Sequence, residues 1–198
     1  MKRHAPATLR NREAILAVLR DVLPAAGVVL EIAAGSGEHA VFFAAALSAL
    51  AWQPTDPDSE SLSSIADHRA DAALANLRAP LRGDVTEAGW ARDLAADAVV
   101  CINMIHIAPW EACLGLLAGA SALLAPGKPL YLYGPYRVDG AFPAPSNADF
   151  DASLRGRDPR WGVRDLPDVT RAAEAVGFTR ERVVAMPANN HSVVFRRG

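Results

Sequence analysis

The stretch Val28-Val-Leu-Glu31-Ile-Ala-Ala-Gly35-Ser-Gly37 is a short apolar run that ends in a turn of small residues. It leads into a segment rich in helix formers, Glu38 to Leu50. The order is strand, glycine loop, helix, and small residues at such a turn let backbone N–H groups approach a ligand at the helix start. A nucleotide-type cofactor is the natural reading. Gly35-Ser-Gly37-Glu-His-Ala40 also fits the dinucleotide fingerprint with alanine in third place. Asp56 follows Gly37 by 19 positions, at the end of a second apolar run, where a carboxylate would accept hydrogen bonds from ribose hydroxyls.

Working outward, Leu9, Arg12, Ile15, Leu16 and Leu19 recur at helical spacing ahead of the loop, and Pro24 and Gly27 close that helix. Beyond it the spacing predicts a strand over 49–53, a helix over 59–77, a weak strand over 79–82 and a short helix over 86–94. A buried strand over 98–103, a helix over 109–124 and a fifth strand over 129–134 follow. Parallel neighbours need crossover connections, so this alternation predicts a three-layer αβα sandwich with a parallel sheet. Prolines and glycines between Tyr136 and Leu166 interrupt any long helix, and an irregular insert beside the strand ends is where a substrate lid would sit. A helix over 168–176 and two strands over 178–186 and 191–197 close the chain as an antiparallel pair.

The 198 residues suit one domain, 1–198, with an N-terminal helix in 1–24 and the lid insert in 136–166. With 51% hydrophobic and 21% charged residues, the composition excludes a disordered chain, and a net charge of -2 disfavours nucleic acid as the main partner. Cys101 and Cys113 lack metal or disulfide spacing, and no metal is expected. No apolar run reaches the roughly 20 residues of a membrane span. The start Met1-Lys-Arg-His lacks a signal-peptide core, so a cytoplasmic protein without a membrane partner is expected. Oligomeric state is not encoded in these features.

Glu31 before the loop, Gly83-Asp84-Val85 after the third strand and Leu124-Ala-Pro-Gly127 before the fifth together resemble the motif series of class I S-adenosylmethionine-dependent methyltransferases. The resemblance implies a Rossmann-like fold with a seven-stranded, mostly parallel sheet and an antiparallel last strand. It implies S-adenosyl-L-methionine as cofactor, with Glu31, Ala33, Gly35, Ser36 and Gly37 at the methionine part, Asp56 at the ribose, and Asp84 and Val85 at the adenine. Ala33 replaces the usual first glycine. Across the whole chain, Arg10-Asn11, Leu30 to Ala40, Trp52 to Asp56, Cys101 to Glu111, Tyr133 to Tyr136, Pro145-Ser-Asn147, Arg157 to Gly162 and Met186 to Asn190 resemble the methyltransferase-like 26 family. That resemblance adds Asn11 to the cofactor set and brings no substrate.

Asn103 and His106 lie just beyond the fourth strand, from which side chains reach donor or acceptor. Asn103 could touch the cofactor or orient a nucleophile, or simply cap a strand; His106 could remove a proton, or simply hydrogen-bond in the core. Trp110, Tyr133, Tyr136 and Trp161 could wall an apolar acceptor pocket, with core packing as the alternative. Asn147, Asn189 and Asn190 fit polar contacts or turns, and the turn reading is favoured. His39 follows the glycine loop, in position to face the site, whereas His4, His68 and His191 belong to no constellation. The expected function is methyl transfer to a small-molecule acceptor. A noncatalytic cofactor-binding module and an NAD(P)-dependent oxidoreductase remain as rivals.

Overall fold

The computed structural model describes residues 1–198. Its sheet runs in the order β3-β2-β1-β4-β5-β8-β7, with strands β1 (Gly27–Ile32), β2 (Leu50–Asp56), β3 (Leu81–Arg82), β4 (Ala98–Ile102), β5 (Pro129–Arg137), β7 (Phe178–Met186) and β8 (Asn190–Arg197). A two-residue strand, β6 (Arg164–Asp165), pairs with β5 off this path and makes eight strands where seven were expected. β3 through β5 are parallel, and β8 is antiparallel to both β5 and β7. An all-parallel dinucleotide fold has no such strand between its fifth and last.

Alternation along the strands divides the core between two faces. Leu30, Ile32, Val99, Cys101, Leu130 and Leu132 pack towards α4 (Trp110–Leu123) and α6 (Leu166–Ala175). Val29, Val100, Ile102, Tyr131 and Tyr133 pack towards α1 (Pro6–Val22) and α2 (Glu38–Ala46). Every side chain of β4 is buried, as its unbroken apolar run requires between two helical layers.

Besides α2, which ends at Ala46 and not Leu50, and β5, which runs on to Arg137, four elements differ from expectation. α3 (Ser59–Ala72) stops five residues early: Ala73 turns left-handed, and Asn76 donates to the carbonyls of Ala44 and Leu50. β2 runs on to Asp56, which puts that carboxylate at the strand end. Residues 86–94 form turns instead of a helix, because Gly89 has φ +74° and Trp90 is pinned to α4 through Gly115 O (3.0 Å). A Cβ at Gly119 would come within 2.3 Å of that indole, so the glycine admits it. Within the supposedly irregular insert, a 13-residue helix, α5 (Pro145–Arg157), forms with Pro145 in its first turn, where proline's missing N–H costs nothing. No helix is long and apolar enough to cross a membrane, and both cysteines are free and buried.

Candidate functional site

A cavity of about 790 Å³ opens at the carboxyl ends of β1, β2 and β4. Glu31, Ala33, Gly35, Ser36, Asp56, Asp84, Val85, Asn103 and Trp161 all line it. They reach it because three parallel strands end together and each is followed by a turn that crosses the sheet edge.

The loop between β1 and α2 has three left-handed residues: Ala33 (φ 54°), Gly35 (φ 59°) and Gly37 (φ 89°). A Cβ on Gly35 would meet nothing nearer than Ala33 O at 4.0 Å, which leaves the loop backbone open to the cavity. Gly37 does different work and does not line the cavity: a Cβ there would lie 2.8 Å from the Ile65 backbone, so this glycine lets α2 pack on α3. Ala33 holds a backbone conformation that costs an L-residue about 1 kcal/mol. Its methyl is compatible with the turn, but not free of charge.

Three carboxylates at the strand-end wall of the cavity are in different states. Glu31 is 1% exposed and accepts a 2.6 Å hydrogen bond from Trp52 Nε1. Burial pushes its pKa up to about 7, against the lowering effect of that bond. Asp56 accepts from the backbone N–H of Gly35 (2.9 Å) and Asp58 (3.0 Å), tying β2 to the glycine loop. Burial raises its pKa more than those bonds lower it. Asp84 is turned to its own loop, accepting from Thr86 Oγ1 (2.7 Å) and Thr86 N (2.9 Å), which hold its pKa down.

Asn103 follows β4 in a left-handed conformation (φ 59°), which asparagine tolerates better than other side-chain-bearing residues, and its N–H is fixed to Tyr133 O (2.8 Å). The residue stands between the first cavity and a second one of about 610 Å³; both are lined by Asn103, Ile107 and Ala7. Asn11, His106 and Asn147 line the second cavity alone. His106 is buried, and burial with Arg164 and Arg157 nearby pushes its pKa down to about 3, so the ring is neutral. The loop carrying it is bolted down from outside. Arg164 donates to Ile105 O (2.9 Å) and Ala108 O, and Gly162 N to His106 O (3.0 Å). His39 lines the first cavity, stacks on Phe43 and donates from Nε2 to Asn11 Oδ1 (2.9 Å), linking the two chambers. Desolvation drops its pKa to about 4.

Two of the aromatic candidates lie elsewhere. Tyr136 is wholly buried in the core under α4 and α6 and lines neither cavity. Trp110 packs at the start of α4 beneath the Arg164 guanidinium, 5.7 Å from its centroid. Sequence reading missed the N-terminal arm, whose Arg3, Ala5, Ala7 and Thr8 form a wall of the first cavity. Arg3 donates to Asp58 (2.9 Å) and Ser61 (3.0 Å), and Ala5 N donates to Glu38 (2.7 Å). His4 pairs with Glu38 (3.0 Å) and lies edge-on to His68 (centroids 5.6 Å apart), so these two histidines do share a cluster. No local pattern announces an arm that bonds residues more than 30 positions away. Asp158 and Arg160 line the opposite wall beside Trp161.

The sequence matches the family described as "Protein of unknown function (DUF938)" over residues 2–197, and the chain belongs to that family. Among solved structures it is similar to an O-methyltransferase family protein from Burkholderia thailandensis (TM-score 0.82, 17% identity, covering 97% of this chain and 57% of that one). It is also similar to an O-methyltransferase family 2 protein from Planctomyces limnophilus in complex with apigenin (TM-score 0.77, 16% identity, 94% and 62% covered). A third is CalO1, a methyltransferase in calicheamicin biosynthesis in its SAH-bound form (TM-score 0.75, 16% identity, 94% and 54% covered). At such identity the likeness establishes the class I methyltransferase fold, and the chain spans between about half and two thirds of the length of these structures.

Proposed function

We propose that this member of the DUF938 family is an S-adenosylmethionine-dependent methyltransferase acting on a small molecule. The observation that carries the reading is the first cavity. A glycine loop without side-chain obstruction at Gly35 and carboxylates ending two adjacent strands share one chamber of about 790 Å³, within the range that encloses ligands of this size. The residue blocks quoted above further ally the chain with the methyltransferase-like 26 group.

The residues fit that cofactor on chemical grounds. Glu31, ionised, would hold the methionine ammonium; its desolvated carboxyl lacks a cationic partner otherwise. Asp56 spends lone pairs on Gly35 and Asp58 and keeps others for ribose hydroxyls. Asp84 and Val85 would border the adenine, and Asn103 would stand where donor and acceptor meet. When bound, the cofactor supplies an electrophilic methyl on a sulfonium centre. The chain's own contribution is positioning: two chambers sharing Asn103 and Ile107 bring two reactants together, and alignment alone can supply much of the acceleration. Residues 136–166, which wall both chambers through Asn147 and Trp161, would act as the lid over the acceptor.

The test is thermal melting with S-adenosylhomocysteine and, in parallel, NADH and NADPH. The reading requires a saturable rise in Tm with the first; a rise with the nicotinamides alone replaces it by the oxidoreductase. Binding without methyl transfer to any small-molecule fraction would mark a noncatalytic module.

A further inference from the structure

The second chamber is assembled from parts that lie far apart in the chain. Asn11 comes from α1, Asn103 and His106 from the β4–α4 loop, Tyr133 from β5, Asn147 from α5 and Asn190 from the start of β8. These residues fall in the blocks quoted above for the methyltransferase-like 26 resemblance. Their meeting in one cavity is a property of the fold that no single block reveals.

Two residues that line this chamber each carry a polar atom without a partner. His106 Nδ1 and Asn147 Oδ1 are both buried without a hydrogen bond, on residues only 3% and 5% exposed. Leaving such a group unsatisfied costs about 1–3 kcal/mol; His106 Nδ1 faces Gly134 on β5, which leaves Asn147 Oδ1 as the acceptor for a ligand to answer. The amide of Asn147 makes one long contact from its other end, Nδ2 to Asn189 O (3.5 Å), and its oxygen is left to accept from a ligand. The His106 ring is set against β5 at Gly134, where a Cβ would sit 3.1 Å from Nδ1. Phe150 meets that ring edge-on, with centroids 5.7 Å apart, and adds an apolar surface. No carboxylate lines the chamber, and Arg10 is its one charged residue.

We infer that the second chamber is the acceptor site, and that it takes a neutral or singly anionic aromatic ring bearing a hydroxyl or N–H group, not a cationic amine. The ring lies against Phe150 and His106, and its O–H or N–H donates to Asn147 Oδ1. An ammonium group would lose its water there without a counter-charge, whereas an anion is tolerated beside Arg10. This rests on the methyltransferase reading for what is transferred, but the ligand preference stands on the chamber alone.

The experiment is ligand-observed NMR and calorimetric titration of the full chain, with and without saturating S-adenosylhomocysteine, using catechol, 4-hydroxybenzoate, 4-methoxybenzoate and tyramine. Catechol or 4-hydroxybenzoate should bind at least about fivefold more tightly than 4-methoxybenzoate, since an unanswered buried acceptor costs about 1–3 kcal/mol, and more tightly than tyramine, whose ammonium finds no counter-charge in the chamber. Asn147→Ala should abolish the preference for the free hydroxyl while leaving S-adenosylhomocysteine affinity within twofold of the parent. Should Asn147→Ala fail to fold, Gly134→Ala, which pushes on the His106 ring, serves in its place and should weaken the hydroxylated probes while leaving S-adenosylhomocysteine affinity within twofold of the parent. Equal binding of all four probes, preference for tyramine, or no binding of either hydroxylated ring overturns the inference. Loss of S-adenosylhomocysteine binding in the parent, with probe selectivity intact, overturns the cofactor reading instead.

Discussion

The two chambers differ in how they are built. The first is made at strand ends, where the turns after β1, β2, β3 and β4 place its polar groups, and its strand-end carboxylates hold hydrogen bonds from Trp52, Gly35, Asp58 and Thr86. The second is made where α1, α5, the strands β5 and β8 and two connections, β4–α4 and β7–β8, meet, and its lining residues keep two buried polar atoms unsatisfied. A site that a fold carries generally can be written in contiguous residues; a site that distinguishes one family from another on that fold is written across the chain.

The sharpest way to break the comparison is Asp56→Ala. It removes the acceptor for two loop amides as well as the expected ribose contact, and hydrogen bonds to charged groups are worth about 1.5–3 kcal/mol. S-adenosylhomocysteine affinity should fall by about tenfold to a hundredfold, measured by calorimetry, while hydroxylated probes in the second chamber bind as before. Loss of both would show one site, not two.

Asn103 joins the chambers and should affect both. Asn103→Gly keeps the left-handed backbone, so Tm should hold while both ligands weaken by about tenfold, the cost of one net hydrogen bond. Asn103→Ala should bind equally poorly and also melt lower, by about 1 kcal/mol of strain.

The pH dependence separates the chambers again. The Glu31 pKa is raised in the free protein to about 7. The stability of the neutral carboxyl is therefore full below the unfolded value near 4.5 and is lost as pH rises through about 7. A cofactor that pairs with the ionised form should bind about tenfold more weakly per unit below pH 7 and release a proton on binding there. Calorimetry in two buffers of different ionisation enthalpy reads that proton. His106, with its pKa lowered to about 3, stays neutral from pH 5 to 8, so probe binding in the second chamber should show no step near 6.5 from this ring. Its burial, with that of His39, instead costs stability as pH falls below 6.5 towards 3–4, since the unfolded chain then binds more protons.

The smallest effect is Ala33→Gly. Relief of its left-handed strain should raise stability by about 1 kcal/mol and Tm by about 2–4 °C, with cofactor affinity almost unchanged.

The sequence reading reaches the first chamber because apolar period, glycine turn and acidic strand end are local signals. Spacing singles out Asp56, the motif resemblance adds Glu31 and Asp84, and all three line the first cavity. Gly37 is read as a ligand contact because spacing cannot tell an open glycine from one that admits a neighbouring helix. Tyr136 shows a related limit: an aromatic beside a strand end faces a pocket or the core according to strand parity, and Tyr136 falls on the core side. Asn190, taken as a turn residue, lines the second chamber because the antiparallel β8 brings it beside Pro135. α5 escaped because proline and glycine count as breakers in the interior, whereas Pro145 opens the helix and Gly156 lies in its last turn.

The most direct measurement is a calorimetric titration of S-adenosylhomocysteine into the parent protein and Asp56→Ala at pH 8, with melting curves on both. The account predicts saturable binding by the parent and at least about tenfold weaker binding by the variant, with both cooperatively folded. A folded parent that takes up no S-adenosylhomocysteine, or a variant that binds it as tightly as the parent, would contradict the assignment of the first chamber.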